Sequence, residues 1–291
     1  MKPISLSLVL FTLLLSSCQS HSPRSSLPKV SVQLWSVRTP LTEDFDNTIA
    51  QLAKLGFQGV ELAGYFGPYE DDPSGFLALL AKHKLVISSA HVSTTDLSTQ
   101  NINATIEKYR RLGVDTLILP SDKRSDDAEN ITRFIDELNR IHGQLTDAGM
   151  RFGFHNHDRE FTQYKQHTFW DEIAQNTDPA FILQLDIGWV NRAGLQPSEM
   201  IKKYSGRMQL AHFKAKLNAP SSDKRPIIGE DDLNWNSILR DSIRYGGIEW
   251  LVVEQEEYPD NLTPLASVAL SKRGVDNAIA AIRQNGHHSR D

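Results

Sequence analysis

The most constraining feature of this 291-residue chain is an alternation of strand-like and helix-like segments that repeats eight times. Apolar runs predict strands at residues 30–35, 59–62, 85–91, 116–119, 151–154, 181–186, 208–213 and 249–254. Helical periodicity predicts helices at 42–55, 76–83, 102–112, 128–148, 169–175, 197–204, 235–245 and 268–283. Such alternation predicts a parallel sheet with right-handed crossovers. Eight units within about 250 residues favour an α/β fold of the single (β/α)8 TIM-barrel type.

A doubly wound open sheet is the alternative architecture. That fold usually places a glycine-rich phosphate-binding turn directly after its first strand. Here the first strand is followed by QLWSVR, which carries no glycine. The barrel therefore remains the first choice.

The amino terminus has the features of an export signal. Lys2 precedes an apolar stretch at residues 4–15, which is too short to span a bilayer. It ends in Leu-Ser-Ser-Cys18, which resembles the bacterial lipoprotein processing box, whose cysteine is lipidated. We expect a signal peptide at 1–17, a flexible tether at 18–29, the barrel at 30–283 and a polar tail at 284–291. The protein would then be exported and anchored to a membrane through Cys18, facing the periplasm.

Composition and charge limit the classes of partner that this chain could bind. The net charge is −5, the pI is about 6.1, and no long basic run is present, so nucleic acid is not an expected partner. Cys18 is the only cysteine, so an intramolecular disulfide is impossible. The oligomeric state is left open by the sequence.

Polar side chains follow the predicted strands at the point where each strand ends. The fifth strand leads into HNHDRE at 155–160, which holds two imidazoles and two carboxylates. Active-site residues of barrels lie at the carboxyl ends of several strands. Each of these residues could instead have a purely structural role, as a helix cap, a hydrogen-bonded core imidazole or a solvated charge. The remaining strand-end candidates are Trp35, Glu61, His91, Asp186, His212 and Glu254.

This mixture of imidazoles and carboxylates suits one divalent ion such as Mn²⁺, Co²⁺, Zn²⁺ or Fe²⁺. Asp186 ends the apolar run FILQL, and a buried carboxylate is costly unless a cation or several donors meet it. Adjacent strands lie about 5 Å apart, so Asp186 and His212 are expected to meet. Such an ion would polarise a substrate carbonyl, and one or two side chains would then transfer the proton.

Seven segments together resemble the sugar phosphate isomerase/epimerase family, the xylose-isomerase-like TIM barrels. They are VQLWSVR (32–38), GVELAGYFG (59–67), SAHV (89–92), FHNHDREF (154–161), LDIGWVNRAG (185–194), GRMQLAHFKA (206–215) and VVEQEE (252–257). The resemblance implies a sugar substrate and one divalent ion held by strands five to eight. Here those positions are His155, Asp186, His212 and Glu254. His157 stays an alternative to His155, because it lies two residues on and would share its face of the strand.

The chain departs from the family pattern at three places. Many epimerases carry a glutamate at the fifth-strand position, where this chain has His155. We therefore expect Glu254, with Glu160 or His157, to transfer the proton. Relatives tend to read H-x-K-D on strand seven and Gly-Glu-Gly in the following loop, where this chain reads HFKA and GED. The residues expected to contact substrate are Trp35, Glu61, His91, Lys214 and Glu230.

The sequence supports three functions. The first is a metal-dependent isomerase or epimerase that acts on a keto-sugar or sugar derivative through an enediolate-type intermediate. The second is a metal-dependent lyase or hydratase acting on 3-keto-glycosides. The third is a lipid-anchored, non-catalytic sugar-binding protein. Export favours unphosphorylated sugars in all three.

Overall fold

Eight parallel strands close into one barrel, which confirms the predicted architecture. The computed structural model describes residues 27–219 and 223–288. Around the barrel the strands follow the order β1-β8-β7-β6-β5-β4-β3-β2. The strands are β1 (Lys29–Gln33), β2 (Gly59–Leu62), β3 (Val86–His91), β4 (Thr116–Leu119), β5 (Arg151–His155), β6 (Ile182–Asp186), β7 (Leu210–Phe213) and β8 (Trp250–Val253).

Helices follow the strands and cover the outside of the barrel. They are α1 (Arg38–Glu43), α2 (Phe45–Lys54), α3 (Pro73–Lys82), α4 (Ile102–Arg111), α5 (Ile131–Asp147), α6 (Phe169–Asn176), α7 (Ile187–Arg192), α8 (Pro197–Lys203), α9 (Trp235–Asp241) and α10 (Pro264–His288). The helix predicted at 42–55 is split, because the side chain of Asp44 accepts a hydrogen bond from Asn47 N at 3.1 Å and caps α2.

Several elements differ from the sequence prediction. Helix α7 starts directly after β6 and was not predicted, and Asp186 caps it by accepting from Trp189 N at 2.9 Å. A two-stranded hairpin, Gln163–Tyr164 with His167–Thr168, interrupts the loop after β5. Helix α10 takes in residues 284–288, which the prediction assigned to a polar tail. Residues 289–291 and the predicted lipidation site Cys18 lie outside the described residues.

Each strand alternates between two apolar layers. Outward-facing side chains pack against the helices in the larger core. A smaller cluster fills the amino-terminal end of the barrel interior: Ile118, Ile182, Leu210, Trp250 and Val252. Trp250 approaches β2 so closely that a Cβ on Gly59 would lie 2.9 Å from its ring. The interior is therefore closed at this end, and only the carboxyl end can admit a ligand. No helix among the described residues is long and apolar enough to cross a membrane.

Candidate metal centre

Four side chains converge at the carboxyl end of the barrel. His155, Asp186, His212 and Glu254 each offer one ligand atom, and these atoms all lie within 4.8 Å of one another. The Asp186 Oδ2 atom is 3.7 Å from His155 Nε2 and 3.8 Å from His212 Nδ1. His212 Nδ1 lies 3.0 Å from Glu254 Oε2. All four residues are buried.

Strand order and register explain why these residues meet. Strands β5, β6, β7 and β8 are consecutive neighbours in the barrel, and Asp186 pairs directly with His212. Within each strand the inward positions recur every second residue. The inward row of β6 therefore changes from apolar Ile182, through Gln184, to Asp186 at the rim. The same alternation in β7 leads from Leu210 through His212 to Lys214, just beyond the strand.

Asp186 is the least satisfied member of the cluster. Burial raises the pKa of its carboxyl to about 6, although Lys214 and His212 lower it. Its Oδ2 atom is buried and accepts no hydrogen bond of good geometry from the residues that the structure describes, although the Lys214 ammonium lies 3.0 Å away. The ion pair with Lys214 leaves the hydrogen-bonding capacity of this oxygen unfilled, so Oδ2 is available as a metal ligand.

Lys214 places an ammonium group against the same carboxylates. Its Nζ lies 2.8 Å from Glu254 Oε2 and 2.9 Å from Glu256 Oε2, and the residue is buried. Burial would lower its pKa, but the charges of Asp186, Glu254 and Glu256 raise it above the ordinary value. Burial likewise opposes ionisation of Glu254, yet Lys214 and His212 hold its pKa well below the usual range. Lys214 and Glu254 are therefore both charged at neutral pH.

Glu61 lies beneath the cluster and is completely buried. Its Oε1 atom is 2.5 Å from His212 Nε2 and 3.2 Å from His91 Nε2. Burial would raise its pKa, but the charges of His91 and His212 and the hydrogen bonds from His212 and Ser89 lower it to about 2. His212, between Glu61 and Glu254, has its pKa raised to about 10 despite its burial. Burial instead lowers the pKa of His91 and sets that of His155 well below the ordinary value.

A cavity of about 450 Å³ opens above these side chains. Its lining includes the predicted residues Trp35, His91, His155, His157, Lys214 and Glu254. Trp35 is 47% exposed at the mouth, and Arg38 lies 4.6 Å from its ring centroid. The ring of His157 lies 5.2 Å from that of Trp189, and its Nδ1 atom is buried without a hydrogen bond from any described residue. His157 lines the cavity, and His155, the last residue of β5, is the imidazole that lies in the four-residue cluster.

Three predicted substrate or catalytic residues lie elsewhere. Glu61 is completely buried, contacts His212 and His91, and is not among the residues that line the cavity. Glu160 is buried and held by three donors, with Oε2 accepting from His157 N at 2.7 Å. It fixes the loop after β5 and does not line the cavity. Glu230 pairs with Arg225 beside a separate groove formed with α10. The loop after β7 carries Glu230 away from the rim.

Two glutamines that were not predicted from the sequence contact Glu61 beneath the site. Gln33 Nε2 donates to Glu61 Oε1 at 2.8 Å, and Gln184 Nε2 donates to Glu61 Oε2 at 2.7 Å. Both side chains are fully buried, Gln33 at the end of β1 and Gln184 within β6. Gln184 could have been found from the sequence, because it lies two residues before Asp186 and so faces the barrel interior as Asp186 does. A polar side chain buried there must have hydrogen-bond partners.

The donor set fits a divalent ion. Two imidazole nitrogens and two carboxylate oxygens suit Mn²⁺, Co²⁺, Zn²⁺ or Fe²⁺, and the thiolates of a closed structural zinc site are absent from the described residues around it. The Oδ2 atom of Asp186, buried without a hydrogen-bond donor among the described residues, is free to act as a ligand. A closed parallel barrel with this cluster at its carboxyl rim defines a TIM-barrel protein with a candidate metal-dependent active site.

Comparison with known proteins identifies the family. The pattern of the xylose isomerase-like TIM barrel family matches residues 49–281, so the chain belongs to that family. An inosose dehydratase of Salmonella typhimurium is 22% identical over 251 residues, which cover 79% of this chain and 80% of that protein.

Two solved structures share the fold. A sugar phosphate isomerase/epimerase from Parabacteroides distasonis has a TM-score of 0.73 at 24% identity, covering 89% of this chain and 97% of the other. The IolI protein with a binding zinc atom has a TM-score of 0.63 at 13% identity, covering 87% and 98%. Family members thus include sugar-modifying enzymes, and one structural neighbour holds zinc.

Proposed function

We propose that this chain is a divalent-metal-dependent isomerase or epimerase that removes a proton next to the carbonyl of a keto-sugar or sugar derivative. The observation that carries the proposal is the buried cluster of His155, Asp186, His212 and Glu254 beneath a sugar-sized or larger cavity. The zinc atom in the IolI protein and the isomerase/epimerase from Parabacteroides distasonis support it by likeness of fold.

The four clustered residues would hold the ion, which would act as a Lewis acid on a substrate carbonyl. Lys214 is charged and lines the cavity, so its ammonium group is placed to neutralise an oxygen that becomes negative during the reaction. Glu254 is ionised and can accept a proton. Its low pKa makes it a weak base, so it requires a substrate C–H that is already acidified by the carbonyl.

His157 is the second candidate for proton transfer. Burial lowers its pKa, so the imidazole is neutral at pH 7 and can either give or take a proton. Its buried Nδ1 atom has no hydrogen-bond partner among the described residues. An epimerase needs two proton-transfer groups, one on each face of the substrate, and we assign these roles to Glu254 and His157.

A metal-dependent dehydratase or lyase, including one acting on 3-keto-glycosides, is the second candidate function. It shares the first proton abstraction and then expels a leaving group. Two observations favour it: the inosose dehydratase relative, and the placement of Glu160 outside the cavity, which removes one carboxylate from the expected proton relay. A non-catalytic sugar-binding protein is disfavoured, because it would not require a buried ligand cluster.

Isotope exchange separates these functions. Metal-loaded protein is incubated in D₂O with a panel of keto-sugars, inososes and 3-keto-glycosides, and products are followed by NMR. Deuterium next to the carbonyl with a rearranged sugar supports the isomerase or epimerase, and loss of water or of an aglycone supports the dehydratase or lyase. Binding with neither change contradicts both enzymatic proposals. The Glu254→Gln variant is the control, since it should abolish exchange.

We also propose that the protein is lipid-anchored through Cys18 and exported. Strand β1 starts at Lys29, at the amino-terminal end of the barrel, and the candidate site lies at the opposite end. An anchor upstream of β1 would therefore be joined to the barrel at the end opposite the cavity.

A further inference from the structure

Glu61 contacts side chains from strands on several sides of the barrel. Its Oε1 atom accepts from Gln33 and His212, and its Oε2 atom accepts from Ser89 Oγ at 2.5 Å and Gln184 Nε2 at 2.7 Å. An ionised carboxylate can only accept hydrogen bonds. Each partner of Glu61 must therefore present a donor, including His212, whose Nε2 must carry a hydrogen. His212 Nδ1 lies 3.0 Å from ionised Glu254 and donates to it while no ion is bound, so Nδ1, which also faces Asp186, is the nitrogen that would give up its hydrogen to a metal ion.

Through Gln184, Glu61 also determines which nitrogen of His155 carries a hydrogen. Because its amide nitrogen donates to Glu61, its Oε1 atom must be the acceptor for its other contacts. That oxygen lies 3.1 Å from His155 Nδ1 and 2.9 Å from His91 Nε2. His155 Nδ1 must then carry a hydrogen, which leaves the lone pair on Nε2. This is the atom that lies 3.7 Å from Asp186 Oδ2.

We propose that Glu61 is a positioning residue that selects the metal-binding nitrogen of both histidines, Nδ1 of His212 directly and Nε2 of His155 through Gln184. The inference rests on the proposed metal centre. Glu61 itself does not touch the ion or the substrate. Outer hydrogen bonds of this kind fix the tautomer and ring orientation of metal-ligating histidines, and their loss typically weakens metal affinity by about 10–100-fold.

The test uses zinc as the probe and protein labelled with ¹⁵N in histidine. Long-range ¹H–¹⁵N NMR spectra identify the zinc-bound nitrogen of each ring, and competition with a chelator gives the zinc affinity. In wild type we expect zinc on Nδ1 of His212 and Nε2 of His155. Gln184→Met removes the acceptor for the Nδ1–H of His155. We therefore expect the Nδ1–H signal of His155 to be lost, while zinc stays on Nδ1 of His212. Glu61→Gln should disturb both rings and lower the affinity by about 10–100-fold.

Ser89→Ala is the matched control. It removes one donor to Glu61 but leaves the carboxylate and both histidine contacts, so the nitrogens and affinity should match wild type. Circular dichroism and thermal melting show which variants fold. If Glu61→Gln does not fold, wild type and Gln184→Met still decide the question. Zinc on His212 Nε2 or His155 Nδ1 in wild type would overturn the inference, as would wild-type affinity in a folded Glu61→Gln variant.

Failure of the proposed metal site can be distinguished from failure of the positioning role of Glu61. If folded wild type binds no divalent ion, the proposed function fails, but His155 and His91 can still be examined without metal. Gln184 Oε1 accepts from both rings whether or not an ion is bound. Their spectra should then show hydrogen on Nδ1 of His155 and Nε2 of His91. The opposite tautomer of His155 would overturn the positioning role of Glu61 independently of any metal.

Discussion

Replacing Lys214 with methionine tests whether its ammonium group balances the carboxylates of the site. The side chain is buried, and its Nζ lies within 3.0 Å of oxygens of Asp186, Glu254 and Glu256. Methionine keeps much of the length and apolar volume but removes the charge. Breaking a buried ion pair by removing one partner costs about 3–5 kcal/mol, because the other charge is left uncompensated. We expect metal-free Lys214→Met to lose about that much free energy of unfolding.

Lys216→Met is the matched control for this substitution. Lys216 also lies over the Trp189 ring, 4.3 Å from its centroid, and pairs with Glu257 at 2.8 Å. Glu257 is exposed, so this pair should contribute at most about 1 kcal/mol. The assay is urea denaturation of both variants and wild type after treatment with a chelator.

The two proposed roles of Lys214 are separated by adding metal. A divalent ion restores positive charge to Asp186 and Glu254, so it should stabilise Lys214→Met more than wild type, with one ion still bound per chain. The kcat/KM should remain about 100-fold lower, because the group that meets the substrate oxygen is missing. A metal-free Lys214→Met as stable as Lys216→Met would refute the charge-balance reasoning. Loss of the bound metal would make Lys214 part of the metal site.

Four further predictions concern residues outside the cluster. Burial raises the pKa of Asp231 to about 6, so its contribution to stability is present at low pH and lost as pH rises towards and through 6. Asp231→Asn keeps an acceptor for Trp235 Nε1 and should be more stable than wild type at pH 7.5, by at most about 3 kcal/mol, but equal at pH 3.5, as measured by urea denaturation at both pH values. Cys18→Ser should release soluble protein with full activity, and loss of turnover in that folded protein would contradict the anchoring role. Glu230→Gln should leave kcat/KM unchanged in steady-state kinetics, since Glu230 does not line the cavity; a tenfold loss would return it to the substrate site. Glu160→Gln should weaken the loop after β5 and lower the Tm, with metal content unchanged.

The barrel could be predicted because its signals are local. Apolar strands, helical periodicity and the glycines after several helices can each be recognised within a short stretch of consecutive residues. The four ligand positions could be predicted for a related reason, because the carboxyl ends of parallel strands all lie at one rim of the barrel. Asp186 and His212 pair across β6 and β7 as expected from neighbouring strands.

Other features depend on contacts that the sequence does not display. Glu61 lies next to the end of β2, as Asp186 ends β6, but β2 lies across the barrel and the Glu61 side chain reaches His212 from below. Glu230 lies in a long loop whose path is set by Arg225 and by packing against α10. The choice between His155 and His157 depended on where β5 ends, which is the least certain part of any strand prediction.

The most direct test of the central claim is metal analysis of wild type and of the single variants Asp186→Ala and His212→Ala. Each protein is stripped with chelator, reloaded with Mn²⁺, Co²⁺ or Zn²⁺, desalted and measured for bound metal by elemental analysis, with circular dichroism to confirm folding. We expect one ion per chain in wild type and substoichiometric metal in both variants, together with loss of turnover. Folded variants that both retain stoichiometric metal and wild-type turnover would contradict it.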